Sequence, residues 1–187
     1  INQIYLELFM KNKIYISLGV LAILILFYMM NINQQKSYQS SSNQIFDFNQ
    51  DQVSSLLIKS ETGSIEIQRV DTSWVIANND SLVLKANVLT TFFDKVFELE
   101  SETIMTKNPE KWVKYSIDDI MGTHLSFYDF NNDILGTFVF GRSTSDFSRC
   151  YIRFNDNPEV HLVNQNIMYN LQSRPEYWGE KVTEEAL

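Results

Sequence analysis

The chain has 187 residues, 44% of them hydrophobic and 13% aromatic, and carries 15 Lys plus Arg against 23 Asp plus Glu, a formal net charge of −8. From Ser37 onward the imbalance sharpens to 22 acidic against 12 basic residues, a net of −10, which disfavours nucleic acid and anionic lipid as partners, since their phosphates require a basic footprint. Cys150 is the single cysteine, so no intramolecular disulfide exists and the fold rests on its core.

The first organised feature is a run of 17 uncharged residues, Ile14 to Met30. A helix of that length rises about 25 Å, enough to cross a hydrocarbon core. Lys11 and Lys13 stand directly before the run and only Lys36 follows, so the cation bias predicts an N-terminus in the cytoplasm and everything after Asn31 outside. Tyr15 and Phe27-Tyr28 lie near the ends of the span, where amphipathic rings favour the headgroup zone. A cleaved signal requires small residues at its exit, and Phe27-Tyr-Met-Met30 supplies bulky ones, so an uncleaved anchor is expected. Residues 1–13 are read as a short cytoplasmic N-terminus. Within them Met10-Lys-Asn-Lys13 resembles a bacterial start, which leaves residues 1–9 as upstream sequence or a short extension.

Residues 31–44 contain 11 Ser, Asn or Gln in 14 positions and no apolar period, the pattern of a flexible polar linker. Residues 45–182 are long enough for one extracytoplasmic domain with its own core, and residues 183–187 form a C-terminal tail.

Within the domain, Leu56–Ser60 and Ile65–Val70 flank Glu61-Thr-Gly-Ser64, where Gly63 supplies the positive φ of a tight turn, and a hairpin is predicted. A third strand, Trp74–Ala77, follows. Asn87 is then read as the cap of a helix whose Val88, Leu89, Phe92, Phe93, Val96 and Phe97 recur at helical spacing. Glu98, Glu100 and Glu102 after it read as a wet surface. Asn108 and Pro109 open a short helix through Trp112 to Tyr115.

A second unit begins at Thr123. Thr123–Tyr128 pairs with Ile134–Phe140, and Arg149–Phe154 pairs with Val160–Val163, each across an Asn/Asp-rich turn. Asn164 is read as the cap of a final helix carrying Ile167, Met168 and Leu171, stopped by Pro175. The predicted class is α+β: largely antiparallel sheet with helices on one face, preceded by one transmembrane helix. The order of elements leaves open a divergent duplication of strand-strand-strand-helix units, the second carrying a fourth strand, without identity between the halves.

Trp74-Val-Ile, Lys85-Ala-Asn-Val88, Tyr115-Ser-Ile-Asp118, Phe140-Gly-Arg142, Tyr151-Ile-Arg153, Val160-His-Leu-Val163 and Arg174-Pro175 with Trp178 together resemble a bacterial membrane-anchored family of unknown function. The resemblance implies one N-terminal anchoring helix and association with ABC-transporter auxiliary proteins of the gliding-motility type. It carries no catalytic residues. The chain departs from the family pattern where Tyr-Gly-Leu and a following Pro are usual, because Ser116 replaces the Gly and no Pro follows closely.

No nucleophile elbow, phosphate-binding glycine loop, His-Glu-x-x-His or Cys-x-x-Cys occurs. Asp129-Phe-Asn-Asn-Asp133 begins like a calcium loop but lacks its turn Gly and its bidentate Glu, and reads as a hairpin turn. His124 and His161 read as structural histidines on different hairpins. Alternation places Cys150, Ile152 and Phe154 on one strand face, a buried thiol among them, and Arg149, Tyr151 and Arg153 on the other. With Arg142 these three are predicted to form a basic-aromatic interaction face on an acidic surface. Trp112 and Trp178 read either as core plugs or as interface anchors.

The function expected is a noncatalytic accessory protein of the bacterial inner membrane, without cofactor or metal, that contacts a transporter or envelope assembly through its sheet edge or the Tyr151 face. Its expected partners are the bilayer, through residues 14–30, and a membrane protein of the ABC-transporter type. The alternative is a membrane-tethered binding domain for a small-molecule or glycan ligand, which requires a concave site near Arg142 to Arg153. An enzyme of unfamiliar chemistry stands third.

Overall fold

The computed structural model describes residues 45–155 and 157–181, together with Leu21 and Ile25. The expected N-terminal segment, linker and tail lie outside the described residues. So does the apolar run, apart from Leu21 and Ile25, which are helical and exposed. Among the described residues no helix is long and apolar enough to cross a membrane.

The first hairpin joins β1 (Ser55–Ser60) to β2 (Gly63–Val70), with Gly63 at φ 151° in the turn. A turn through Asp71, at φ 54°, leads to β3 (Ser73–Ile76). In the second half β6 (Thr123–Tyr128) and β7 (Ile134–Arg142) pair as predicted, as do β8 (Cys150–Phe154) and β9 (Val160–Val163). The β6–β7 turn is built by Asp129, whose Oδ1 accepts from the backbone N–H of Asn131 at 2.8 Å and of Asp133 at 2.9 Å. Its carboxylate therefore organises the turn.

Three strands were not predicted: β4 (Leu82–Leu84), β5 (Ser101–Thr106) and β10 (Gly179–Lys181). β4 and β10 pair with each other. β5 begins inside the acidic run and pairs with β9. The remaining strands join one eight-stranded sheet of order β3-β2-β1-β6-β7-β8-β9-β5, every pairing antiparallel. The two predicted units are thus one sheet, fused where β1 pairs with β6.

Helix α1 (Ala86–Phe97) buries Leu89, Phe92, Phe93 and Val96. It starts earlier than Asn87 would cap it: Lys85 occupies the cap position without a side-chain bond, and the Asn87 carbonyl accepts from Thr91 Oγ1 at 2.8 Å inside the helix. The apolar stripe of α1 shares one core with Leu56 and Ile58 of β1, Ile65 and Ile67 of β2, Leu125 and Phe127 of β6, and Phe138 and Phe140 of β7. Register puts these side chains on one sheet face, because Leu56 stands opposite both Ile67 and Phe127, and Leu125 opposite Phe138. Phe46 and Phe48, from the segment before β1, close this core with edge-on contacts to Phe127 at 6.1 and 5.5 Å.

The predicted final helix is absent from residues 164–174. Asn164 does not cap there: its Oδ1 accepts from Glu100 N at 3.1 Å and its Nδ2 donates to Glu98 O at 3.2 Å, which ties the segment to the entry of β5. Ile167, Met168 and Leu171 are buried nonetheless, on irregular backbone. Three apolar positions are too few for period to separate a helix from such a segment. Pro175 opens rather than stops a helix, the four-residue α2 (Pro175–Trp178), where its missing N–H costs nothing.

Nor do the helical elements share one face. Two 3-10 turns, Pro109–Lys111 and Val113–Tyr115, cover the opposite side of the sheet, the first capped by Asn108 Oδ1 accepting from Glu110 N at 3.0 Å. Under them Tyr115, Ile117, Val139, Tyr151 and Val160 form a second core. The connector lies so close that a Cβ on Gly141 would collide with the Tyr115 carbonyl and stand 2.6 Å from Ile117 Cγ2, which is why this position in β7 has no side chain. Ser116 turns the connector in left-handed geometry, φ 53° and ψ 41°, where Gly is unstrained and Ser costs about 1 kcal/mol.

Candidate functional site

A sheet's edges are where its backbone remains available to a partner, and the two edges here differ. β5, at one edge, departs twice from regular register with β9, and the adjoining Glu102 and Lys107 are exposed and charged. Bulges and charges of this kind discourage further strand addition. β3, at the other edge, reads Ser73-Trp-Val-Ile76, with no charge, no Pro and regular register against β2. Among the described residues no strand pairs with its outer side.

Beside β3 a cleft of about 920 Å³ runs to β4 and the first turns of α1. Trp74, Val75, Val83, Leu89 and Phe93 supply its apolar lining, and Asn78 and Asp80 supply exposed polar groups. Trp74 is held between the Phe93 ring, with centroids 5.5 Å apart, and the Arg69 guanidinium at 5.9 Å. Val70, Val75 and Val83 remain exposed, at 47%, 36% and 53% of their surface. Several apolar groups in water beside an edge to which no described strand is hydrogen-bonded form a surface suited to an extended segment.

The four residues predicted to share an interaction face do not share one. Arg142 is exposed at the end of β7, and among the described residues no ion pair or hydrogen bond engages its side chain. Arg149 precedes β8 and pairs with Glu102 at 2.7 Å and Asp146 at 3.4 Å. Tyr151 and Arg153 project from β8 on the predicted side, but that side lies beneath the 3-10 connector, and they are only 8% and 3% exposed. The Arg153 guanidinium stacks 3.9 Å from the Trp112 ring centroid, and its Nε donates to Ile117 O at 3.3 Å. Nη1 donates to the Asn155 carbonyl, and Nη2 donates to Asp119 Oδ1 at 3.1 Å. Alternation locates a face without saying whether another layer covers it.

Other candidates resolve into structure. Cys150 is fully buried, its Sγ 3.4 Å from the Gln165 carbonyl, and burial pushes the thiol up to about 11. Native protein at pH 8 is therefore expected to resist iodoacetamide and to be labelled promptly once unfolded in guanidinium; rapid labelling of the native fold would restore Cys150 as a reactive group. His161 Nδ1 bonds Ser101 Oγ at 2.8 Å, and burial holds its pKa below the ordinary histidine value, with Glu159 opposing. His124 stands opposite Val139 on the other face of the sheet, so the histidines do not converge. Trp178 is a core plug, and Trp112 is the half-buried cover of Arg153. Among the described residues no three His, Cys, Asp or Glu side chains gather where they could hold a metal ion.

The sequence points to a sheet edge as a contact surface but not to β3 as the strand that forms it. The lack of charge in Ser73–Ile76 was legible, but its edge position depends on strand order. Comparison with known proteins finds one family, described as a domain of unknown function (DUF4340), whose profile matches residues 74–184. No curated protein and no solved structure matches the chain.

Proposed function

The chain belongs to this family, the domain of unknown function DUF4340, and from that premise we infer a single-pass, membrane-anchored accessory protein that holds a membrane-protein partner at the β3 edge. The asymmetry of the two sheet edges carries this reading: the uncharged, regular edge strand is the one that adjoins an apolar cleft, while the opposite edge is irregular and charged. The charge-free run 14–30, the lysines before it and the polar residues after it support an anchor with the domain outside the cytoplasm. Leu21 and Ile25, one helical turn apart and exposed, offer apolar groups to a bilayer. An ABC-transporter component is the partner that the family resemblance favours.

The test is affinity capture of the full chain from detergent-solubilised native membranes, comparing wild type with Val75→Lys and Val113→Lys. Val75 is exposed on the edge strand and tolerates a lysine, so the fold persists while strand addition is blocked. Val113, 63% exposed on the connector, is the control. Wild type and Val113→Lys are expected to recover a transporter-type subunit, and Val75→Lys to lose at least about tenfold of it, the equivalent of roughly 1.4 kcal/mol. Equal recovery by all three eliminates the edge as the interface. Recovery of the chain in the soluble fraction eliminates the anchor.

A further inference from the structure

Away from the β3 cleft, and sharing no lining residue with it, a second recess lies where the β1–β2 turn, the end of β7 and the segment after β9 meet. It has two compartments, of about 250 and 360 Å³, with Arg142 and Met168 common to both. Phe147 and Tyr169 wall the first and are 81% and 78% exposed. One hydrogen bond joins the loops that carry them, Asn166 Nδ2 donating to the Phe147 carbonyl at 2.8 Å, and a second turns the Tyr169 loop locally, Asn166 Oδ1 accepting from Met168 N at 3.0 Å. The two rings are therefore set beside the recess by a fastened pair of loops.

The second compartment is lined by hydroxyls. Ser60, Thr62 and Ser173 form a closed triangle with oxygen separations of 2.8, 3.0 and 3.1 Å, and Gln172 and Glu61 stand beside it. In such a ring each hydroxyl spends its proton on a neighbour; Ser60 Oγ also accepts from Thr62 N at 3.3 Å, so Thr62 and Ser173 are the two that keep acceptor capacity for an incoming O–H. Between the compartments stands Arg142, whose five N–H donors engage no carboxylate or carbonyl among the described residues, in contrast to Arg149 and Arg153.

We propose that this recess binds a glycan bearing a carboxylate. Pyranose rings present C–H faces that pack on exposed aromatic rings, their hydroxyls match the Ser-Thr-Ser triangle and Gln172, and a carboxylate matches the free fork of Arg142. An apolar peptide would satisfy the two rings and leave the hydroxyl compartment and Arg142 without partners. The site is the concavity that a ligand-binding reading requires, placed beside Arg142 and away from Arg153. It goes beyond docking at β3 and stands or falls separately from it.

The experiment titrates the full chain in detergent with two probes of equal length, a tetrasaccharide of uronic acid and a neutral chitotetraose, by calorimetry. The uronate is expected to bind at least about tenfold more tightly than the neutral probe. Phe147→Ala and Tyr169→Ala should each weaken it about tenfold or more, and Arg142→Ala should erase the preference for the charged probe while leaving the weaker common affinity. All three positions are exposed, so folded variants are expected, and circular dichroism checks this. Absence of binding by both probes overturns the proposal, as does binding that Phe147→Ala and Tyr169→Ala leave unchanged. Equal affinity for the two probes refutes the role given to Arg142. Val75→Lys should bind the uronate like wild type, which separates this result from any failure at the β3 edge.

Discussion

Replacing Trp178 by alanine is expected to lower the stability of the domain by about 3–5 kcal/mol, a large share of the roughly 5–15 kcal/mol that holds a domain of this size folded. Trp178 is wholly buried, edge-on to Phe92 of α1 with ring centroids 5.3 Å apart and to Tyr177 at 5.2 Å. Its indole N–H donates to the Gln172 carbonyl at 2.7 Å, and its own carbonyl accepts from Lys85 N, directly before α1, at 2.8 Å. Removing the ring opens a cavity under α1 and orphans the Gln172 carbonyl. It also loosens the point from which β10 reaches β4. Trp178→Phe isolates the hydrogen bond, because most of the apolar volume stays, and should cost roughly 1–2 kcal/mol. Urea unfolding followed by circular dichroism measures both. A loss under about 1 kcal/mol for Trp178→Ala would show that the segment after β9 collapses onto the space and that Trp178 is not an organising residue.

The second large effect is expected from charge reversal at Arg153. The guanidinium is 3% exposed, stacked on Trp112 and bonded to the carbonyls of Ile117 and Asn155 and to Asp119. A glutamate there would face two carbonyl oxygens and the Asp119 carboxylate with no donor in reach, and breaking a buried charged arrangement in this way costs about 3–5 kcal/mol. Arg149→Glu is the contrast. That side chain is 39% exposed, and its ion pairs with Glu102 and Asp146 are screened by water, so a change of only about 0.2–1 kcal/mol is expected. Arg153→Lys should fall between, since it keeps the charge and loses the planar fork that stacks and donates in three directions. Equilibrium unfolding of the three variants gives the order directly. If Arg153→Glu proves as mild as Arg149→Glu, the 3-10 connector does not seal that face, and the surface once expected around Tyr151 becomes available again.

Both substitutions bear on how a partner surface is sought. A double reversal at Arg149 and Arg153, natural if the two are taken as one exposed patch, would mix any effect on partner binding with the loss of about 3–5 kcal/mol of stability at Arg153. Val75→Lys and Arg142→Ala avoid this, since each changes an exposed side chain and leaves both cores untouched.

By itself the sequence determined those features whose causes lie within a few residues. Gly63 permits the β1–β2 turn through its backbone freedom, and Asp129 folds the β6–β7 turn with its own carboxylate. The stripe from Leu89 to Val96 makes α1 because its spacing is helical, and alternation sorts Cys150 and Ile152 from Tyr151 and Arg153 because successive strand residues point oppositely. The tertiary structure alone decided the rest. Asn164 looks like a helix cap until Glu98 and Glu100, more than sixty residues away, take its side chain. Pro175 looks like a stop until the chain reaches it already extended. Arg153 looks like surface until residues 109–117 are laid over it, and β3 becomes an edge only when β1 chooses β6 as its second partner. Period and turn chemistry are set by local sterics. Which face receives a second layer, and which strand is left without a neighbour, depends on contacts between residues far apart in the chain, and no local pattern records those.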